Sequence, residues 1–101
     1  MKYKIAFRKR ASREYIDSLL WYKERSMYAA KDFVKAIDDT LERVASNPAR
    51  FRNTYSKFHE AMVKKFPFGI VYFIDEAEKQ VVIVSIFHFR RSPRKKFNDT
   101  E

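Results

Sequence analysis

The stretch that decides the fold is residues 66–89, FPFGIVYFIDEAEKQVVIVSIFHF. Two apolar segments, 70–74 and 81–89, flank the charged segment 75–79. Short apolar runs rich in valine, isoleucine and phenylalanine are typical of buried strands, and the charged segment between them predicts a turn. In residues 81–89, apolar side chains occur at both odd and even positions, so both faces of a strand here would be apolar. We therefore expect a central strand that is covered on both faces.

The segments on either side of this hairpin complete a sheet. Residues 59–66 predict a weaker strand, which Pro67 and Gly69 separate from the next one. Residues 2–7 alternate between charged and apolar side chains, which predicts a half-buried strand near the N-terminus. Its apolar side can be buried only if this strand joins the sheet formed by the three later strands.

Two amphipathic helices lie between the first strand and the others. The first helix starts between Lys9 and Ser12. Ser26 can cap the second helix, and Asn47-Pro48 ends it, because a residue before proline avoids the α region. The apolar stripe of the second helix recurs at steps of three and four residues and consists of Ala30, Phe33, Ile37, Leu41 and Val44. The predicted fold class is α+β, in the order β-α-α-β-β-β, with a small antiparallel-dominated sheet and a helical hairpin packed on one face.

Length and composition limit what the chain can be. Its 101 residues predict a single domain, 1–101, without an internal linker. It contains no cysteine and only two histidines, which excludes a thiol nucleophile and argues against a protein-built metal site, so we expect no metal and no cofactor. No apolar run reaches the roughly 18 residues that a membrane span needs, and the N-terminus has no signal-peptide pattern. We expect a soluble cytoplasmic protein with no membrane partner.

The charge of the chain points to an anionic partner. The formal net charge is +9, from 22 Lys and Arg against 13 Asp and Glu. A field of this size attracts nucleic acid, an anionic membrane or an acidic protein. Residues 91–101 are expected to be a flexible basic tail. We predict that the residues that contact a target or a partner protein are Trp21, Arg90, Arg91, Arg94, Lys95 and Lys96.

One cluster of residues has the chemistry of a nuclease. His88 and Arg90 lie two residues apart, so on a continuous strand both would point to one sheet face, and Arg91, Lys64 and Lys65 are expected nearby. A histidine can transfer protons near neutral pH, and cations can stabilise the charge that develops on a phosphate. The alternative is that His88 is structural and that the basic side chains bind an acidic partner.

Several motifs are similar to those of the RelE/ParE superfamily of toxins from type II toxin–antitoxin systems. The strongest are residues 66–74, FPFGIVYFI, and residues 84–93, VSIFHFRRSP. Supporting motifs are Trp21-Tyr22 late in the first helix, Phe33 in the second, and residues 41–48, LERVASNP. Together these motifs extend over nearly the whole chain in the order that the superfamily shows.

The resemblance implies a function as well as a fold. It implies a basic toxin that a cognate acidic antitoxin neutralises, and it leaves open a toxin dimer or a hetero-oligomer with the antitoxin. ParE-like members, the plasmid stabilization branch, inhibit DNA gyrase without being nucleases, whereas RelE-like members cleave mRNA on the ribosome.

The helical hairpin and the Asn47-Pro48 junction are more similar to the ParE-like branch. A RelE-type tyrosine does not follow Arg91, since Phe97 stands in the tail instead. We therefore expect a gyrase inhibitor. The alternatives are a metal-independent, ribosome-dependent mRNA endoribonuclease that uses His88, and an inactive or merely nucleic-acid-binding family member.

Overall fold

The computed structural model describes residues 2–90, which form two helices packed on one face of a five-stranded sheet. The strands are β1 (Lys4–Phe7), β2 (Arg52–Tyr55), β3 (Phe58–Met62), β4 (Phe68–Asp75) and β5 (Gln80–His88). The helices are α1 (Lys9–Arg25) and α2 (Met27–Ser46), and a 3₁₀ turn, Pro48–Arg50, follows α2. The predicted α+β class with a helical hairpin on one sheet face is confirmed.

The joint between the helices is a single residue, Ser26. Its N–H donates to the carbonyl of Tyr22 at 2.8 Å and so closes α1, and its Oγ accepts from the N–H of Ala29 at 3.2 Å and so caps α2. So short a connection makes the two helices antiparallel neighbours. At the other end, α2 stops at Ser46, directly before the Asn47-Pro48 junction, as the sequence predicts.

The sheet is mixed, in the order β1-β5-β4-β3-β2. β1 pairs with β5 in parallel, with Ile5 beside Val81, and all other neighbours are antiparallel. β5 therefore lies inside the sheet, between β1 and β4. Its residues Val82 and Ile83, which face opposite sides, are both buried. The predicted central strand that is covered on both faces is thus confirmed.

The structure corrects two parts of the predicted sheet. The sequence does not predict β2, because three of its four residues, RNTY, are exposed, and pairing with β3 rather than an apolar pattern defines this edge strand. β3 ends at Met62, earlier than predicted, because the chain turns at Lys65, whose φ of 70° lies in the left-handed region.

The core lies between the helical hairpin and the sheet and is rich in aromatic rings. Phe33 of α2 is fully buried, and its ring centroid lies 5.1 Å from that of Tyr22, 5.6 Å from that of Phe66 and 5.1 Å from that of Phe68. Offset and edge-to-face ring pairs at such distances are favourable beyond the area that they bury. These contacts fix the hairpin over the end of the sheet where β4 begins.

Beyond the end of β1, a carboxylate of α1 accepts hydrogen bonds from groups of β5. β1 pairs only as far as Ile83, so the N–H groups of β5 after the bulge near Ser85 have no strand neighbour on that side. Glu14 Oε1 accepts from the N–H of Ile86 at 2.9 Å and from the Ser85 hydroxyl at 2.8 Å. Arg10 lies 3.3 Å from the other oxygen of Glu14. This interaction fixes α1 along the final segment of β5.

Candidate functional site

The predicted functional residues gather at one end of the sheet. Phe68, the first residue of β4, is directly opposite His88, the last residue of β5. Beyond this pair, the N–H of Phe89 donates to the carbonyl of Pro67 at 3.2 Å. The turn that connects β3 to β4 therefore lies beside the end of β5. We refer to this turn, residues 63–67, as the lysine turn, because it carries Lys64 and Lys65.

His88 lies on the helix-facing side of the sheet. Directly opposite residues of neighbouring strands share a face, and Phe68 faces the core. The imidazole packs edge-on against the ring of Phe68, with 4.9 Å between the ring centroids and 78° between their planes. His88 is half-buried as a result, in contact with the aromatic core.

Arg90 lies beyond the end of β5, so the alternation of side chains between the two sheet faces does not extend to it. The strand ends at His88, and Arg90 lies in the following turn with its side chain exposed. The prediction that one strand directs His88 and Arg90 to the same face is therefore wrong. The remaining predicted basic residues, namely Arg91, Arg94, Lys95 and Lys96, lie outside the described residues, as does the rest of the predicted tail 91–101.

Lys64 and Lys65 are exposed in the lysine turn rather than on a strand, which corrects their predicted placement. Their side chains line a groove of about 810 Å³ between this turn and α2, together with Phe66 and residues of α2 such as Ala36 and Thr40. The two lysines therefore share an end of the molecule with His88, but they line a surface that α2 completes.

Trp21 lies on the last turns of α1, at the same end of the molecule. The guanidinium of Arg25 stacks on its indole ring at 3.7 Å, and Arg25 Nη1 donates to the carbonyl of Trp21 at 2.9 Å. The neighbouring Tyr22 meets the ring of Phe66 edge-on, at a centroid distance of 5.3 Å. This contact ties the end of the hairpin to the lysine turn. Trp21 remains 40% exposed, so its ring is available at the surface.

The opposite sheet face, which we call the outer face, holds residues that the sequence analysis did not single out. Glu60 of β3 is buried there, and its carboxylate lies 3.3 Å from the exposed guanidinium of Arg52. Gly69 on β4 leaves room for this carboxylate, since a Cβ at that position would overlap Glu60 Oε2. A lone glycine inside an apolar strand signals close approach of another group, and this signal could have located the site from the sequence.

An aromatic side chain on the outer face lies close to two cations. The Nζ of Lys57 is 4.2 Å from the centre of the Phe73 ring, and the Cζ of Arg8 is 5.6 Å from it. Phe58 packs edge-on against the same ring at 6.1 Å. The outer face therefore presents a basic and aromatic surface, and cation–π contacts hold its charged side chains in place.

Two further observations describe the structured part of the chain. Within residues 2–90, no group of three or more histidine, aspartate or glutamate side chains is placed to hold a metal ion. Over the same residues, neither helix combines the length and the apolarity that a membrane crossing requires.

The sequence matches the family model described as ParE toxin of type II toxin-antitoxin system, parDE, over residues 5–93. A sequence search of curated proteins finds no significant match. Among solved structures, a chromosomal ParDE toxin–antitoxin system from P. aeruginosa is similar, with a TM-score of 0.60 and 15% identity over 84% of this chain and 94% of that one.

Two further solved structures have the same fold at low sequence identity. A mutant of the E. coli toxin RelE in the free state matches with a TM-score of 0.62 and 16% identity, over 92% of this chain and 90% of that one. A chain from the toxin–antitoxin complex RelBE2 of Mycobacterium tuberculosis matches with a TM-score of 0.58 and 15% identity, over 87% of this chain and 92% of that one. With the family model spanning residues 5–93, the chain belongs to the ParE toxin family of type II toxin–antitoxin systems, within the RelE/ParE superfamily.

Proposed function

We propose that this toxin arrests growth by binding DNA gyrase, without catalysing a reaction of its own, and that a cognate acidic antitoxin neutralises it. In this proposal Trp21 and Arg90 belong to the surface that contacts the target or the antitoxin, together with the basic residues of segment 91–96. The alternative function in the superfamily is mRNA cleavage, which requires a proton-transferring group beside cations that bind phosphate.

The observation that carries the proposal is the placement of His88. Its ring packs on Phe68, against the aromatic core, whereas Lys64 and Lys65 line the groove beside α2. Arg90, the other predicted partner, lies in the turn beyond the end of β5 and not on the strand with the histidine. A general acid or base must come within about 3 Å of the proton that it transfers, and this arrangement does not favour that geometry.

The outer face of the sheet supports the same proposal. Glu60 is buried, faces Arg52 at 3.3 Å and fills the space above Gly69. The ion pair with Arg52 and the packing over Gly69 give Glu60 a structural role on this face. A surface that combines half-buried aromatic rings with cationic side chains suits binding to a protein, where aromatic and arginine residues supply much of the affinity.

The proposed antitoxin is supported by charge and by the relatives. The net charge of +9 favours a partner of opposite sign, because complementary potentials accelerate association. Two of the similar structures are a ParDE toxin–antitoxin system and a RelBE2 toxin–antitoxin complex.

The test is induced expression in bacterial cells, with plasmid supercoiling and transcript cleavage measured in parallel. We expect growth arrest with loss of negative supercoiling and with intact transcripts. The variant His88→Gln should behave as the wild type does, and His59→Gln provides a matched control at the other histidine. Transcript cleavage that disappears in His88→Gln and persists in His59→Gln, with both variants folded by circular dichroism, would establish the nuclease instead.

A further inference from the structure

The end of the helical hairpin carries a cluster of exposed apolar and aromatic side chains. Leu20 and Trp21 lie near the end of α1, and Met27 and Tyr28 begin α2. We call these four residues, together with the exposed Arg25, the hairpin tip. Single exposed hydrophobic side chains are ordinary, whereas a cluster of them marks a surface that binds another molecule.

Arg25 holds the indole ring of Trp21 in one orientation. Its guanidinium carbon lies 3.7 Å from the centre of that ring, and its Nη1 donates to the Trp21 carbonyl at 2.9 Å. The Tyr22 ring is nearly perpendicular to the indole, with 5.0 Å between the ring centroids and 84° between their planes. The exposed indole is therefore held by two neighbours, a cation stacked on its face and a ring at a right angle to it.

The backbone that carries Trp21 is anchored in the core. The ring of the next residue, Tyr22, lies 5.1 Å from that of Phe33 and 5.3 Å from that of Phe66, between centroids. The carbonyl of Tyr22 accepts from the N–H of Ser26 at 2.8 Å. A side chain that is ordered before binding loses little conformational entropy when it binds, which is why rigid aromatic rings make good anchors.

The guanidinium of Arg25 has donors left for a partner. Its side chain is half exposed, and its Nη1 lies 3.7 Å from the carboxylate of Glu24, which is longer than a hydrogen bond. A guanidinium has five N–H donors, and the hydrogen bond to the Trp21 carbonyl uses one of them. The pair therefore suits a protein surface that offers an apolar pocket for the indole and carboxylates at the rim of the pocket.

We propose that Arg25 is a positioning residue, which holds Trp21 as the anchor by which the hairpin tip binds gyrase. The indole enters an apolar pocket of the target, and the stacked guanidinium lies at the acidic rim of that pocket. The inference rests on the proposed gyrase inhibition and names the part of the toxin that performs it. It assigns Trp21 to the target rather than to the antitoxin.

The shape and the charge of the hairpin tip favour a target protein over a second copy of this chain. The joint between the helices is the single residue Ser26, so the tip is convex, and its anchor requires a concave site on the partner. A symmetric contact between two tips would bring like charges together, since each tip carries Arg25 and each chain has a net charge of +9.

The first test observes the anchor itself in the full chain. Trp21 is the only tryptophan, so toxin prepared with 5-fluorotryptophan gives a single fluorine NMR resonance. On addition of unlabelled purified gyrase, we expect this resonance to shift and to become protected from broadening by a soluble gadolinium chelate. An unchanged resonance at concentrations that inhibit supercoiling would overturn the inference and leave gyrase inhibition in place. So would a shift caused by the acidic product of the neighbouring reading frame, or by a second copy at high toxin concentration, if gyrase caused none.

The second test measures the concentration of toxin that half-inhibits supercoiling by purified gyrase. We expect Trp21→Ala to raise it by about tenfold or more, and Arg25→Ala by about threefold or more. Arg13→Ala removes another exposed arginine of α1 and is the matched control, with an expected change of less than about twofold. Because Arg25 acts through the ring, the double variant Trp21→Ala/Arg25→Ala should be close to Trp21→Ala alone. In the toxin alone, Arg25→Ala should also make the fluorine resonance more accessible to the chelate.

The outcomes separate the positioning role from the proposed function. A double variant whose loss equals the product of the two single losses would overturn the positioning role, as would full recovery of inhibition in Arg25→Lys, which keeps the charge without the planar stack. Equal inhibition by the wild type and by a folded Trp21→Ala would overturn the hairpin tip but not the target. A wild type that leaves supercoiling unaffected would overturn the proposed function, and this inference would fall with it.

Discussion

Aromatic side chains have different neighbours on the two faces of the sheet. On the helix-facing side, Phe33 and Phe68 contact other rings and are fully buried. On the outer face, half-buried Phe73 packs against the ring of Phe58 and also contacts the cations Lys57 and Arg8. Ring–ring contacts exclude water and stabilise the fold, whereas ring–cation contacts hold charge at a surface that a partner can reach. We therefore expect substitutions on the first face to affect stability and those on the second to affect binding.

The largest effect is expected at the centre of the helix-facing side. Phe33→Ala removes a ring that contacts four others, so it should lower the free energy of unfolding by about 3–5 kcal/mol in urea denaturation. Tyr28→Ala, on the same helix but 83% exposed, is the control and should change it by less than about 0.5 kcal/mol. Similar losses for both variants would show that burial against the sheet does not distinguish these positions.

The next effect tests the packing of Glu60 on Gly69. Gly69→Ala places a methyl group where the carboxylate lies, and we expect a loss of about 1–3 kcal/mol in unfolding free energy. Glu60→Ala frees that space, so the double variant should lose clearly less than the sum of the two single variants. Strict additivity would mean that the two residues do not compete for the same volume.

A smaller effect, with a pH signature, is expected at Tyr72. Its hydroxyl donates to the carbonyl of Pro48 at 2.6 Å, and burial raises the pKa of this tyrosine. Tyr72→Phe should cost about 1–2 kcal/mol in unfolding free energy at pH 8.

Because the pKa of Tyr72 is higher in the folded chain than in the unfolded one, its contribution is complete below the unfolded value of about 10 and is lost as the pH rises further. The difference between wild type and Tyr72→Phe should therefore shrink above about pH 10 in urea titrations at a series of pH values. A difference that stayed constant up to pH 11 would contradict this assignment.

The smallest effect on stability is expected on the outer face. Lys57→Gln removes one cation from Phe73 and should change the unfolding free energy by about 0.5 kcal/mol or less. The association rate with the antitoxin should fall more visibly, and the rates of wild type and variant should both decrease as salt increases, since exposed charges are screened over about 8 Å at physiological ionic strength. An association rate that is insensitive to salt would argue against steering by this face.

The sequence predicts the parts of the fold in which an apolar pattern and a local stop signal agree. The stripe of α2 and its boundaries at Ser26 and Asn47 are correct for this reason. β2 could not be predicted, because its residues are polar and only pairing with β3 makes it a strand. Such pairing depends on turn geometry or on residues that are distant in sequence. It therefore produces no alternating apolar pattern from which the strand could be predicted.

The sequence predicts which residues form the candidate site, but not how their side chains are oriented. The sequence indicates that Lys64, Lys65, His88 and Arg90 lie near one another, and strand pairing brings their segments to one end of the sheet. It does not reveal that β5 ends at His88, or that the lysines face α2, because both depend on where turns begin. The lone glycine was the clearest signal of the contact between Gly69 and Glu60.

The measurement that tests the central claim most directly is supercoiling by purified gyrase, titrated with the purified wild-type toxin and with His88→Gln. If the toxin acts by binding, both proteins should inhibit supercoiling, with half-inhibition at concentrations within about twofold of each other. Neither protein should cleave mRNA on purified ribosomes in the same preparation. Unaffected supercoiling, together with mRNA cleavage that the His88→Gln substitution slows by about 10²-fold or more, would contradict the account.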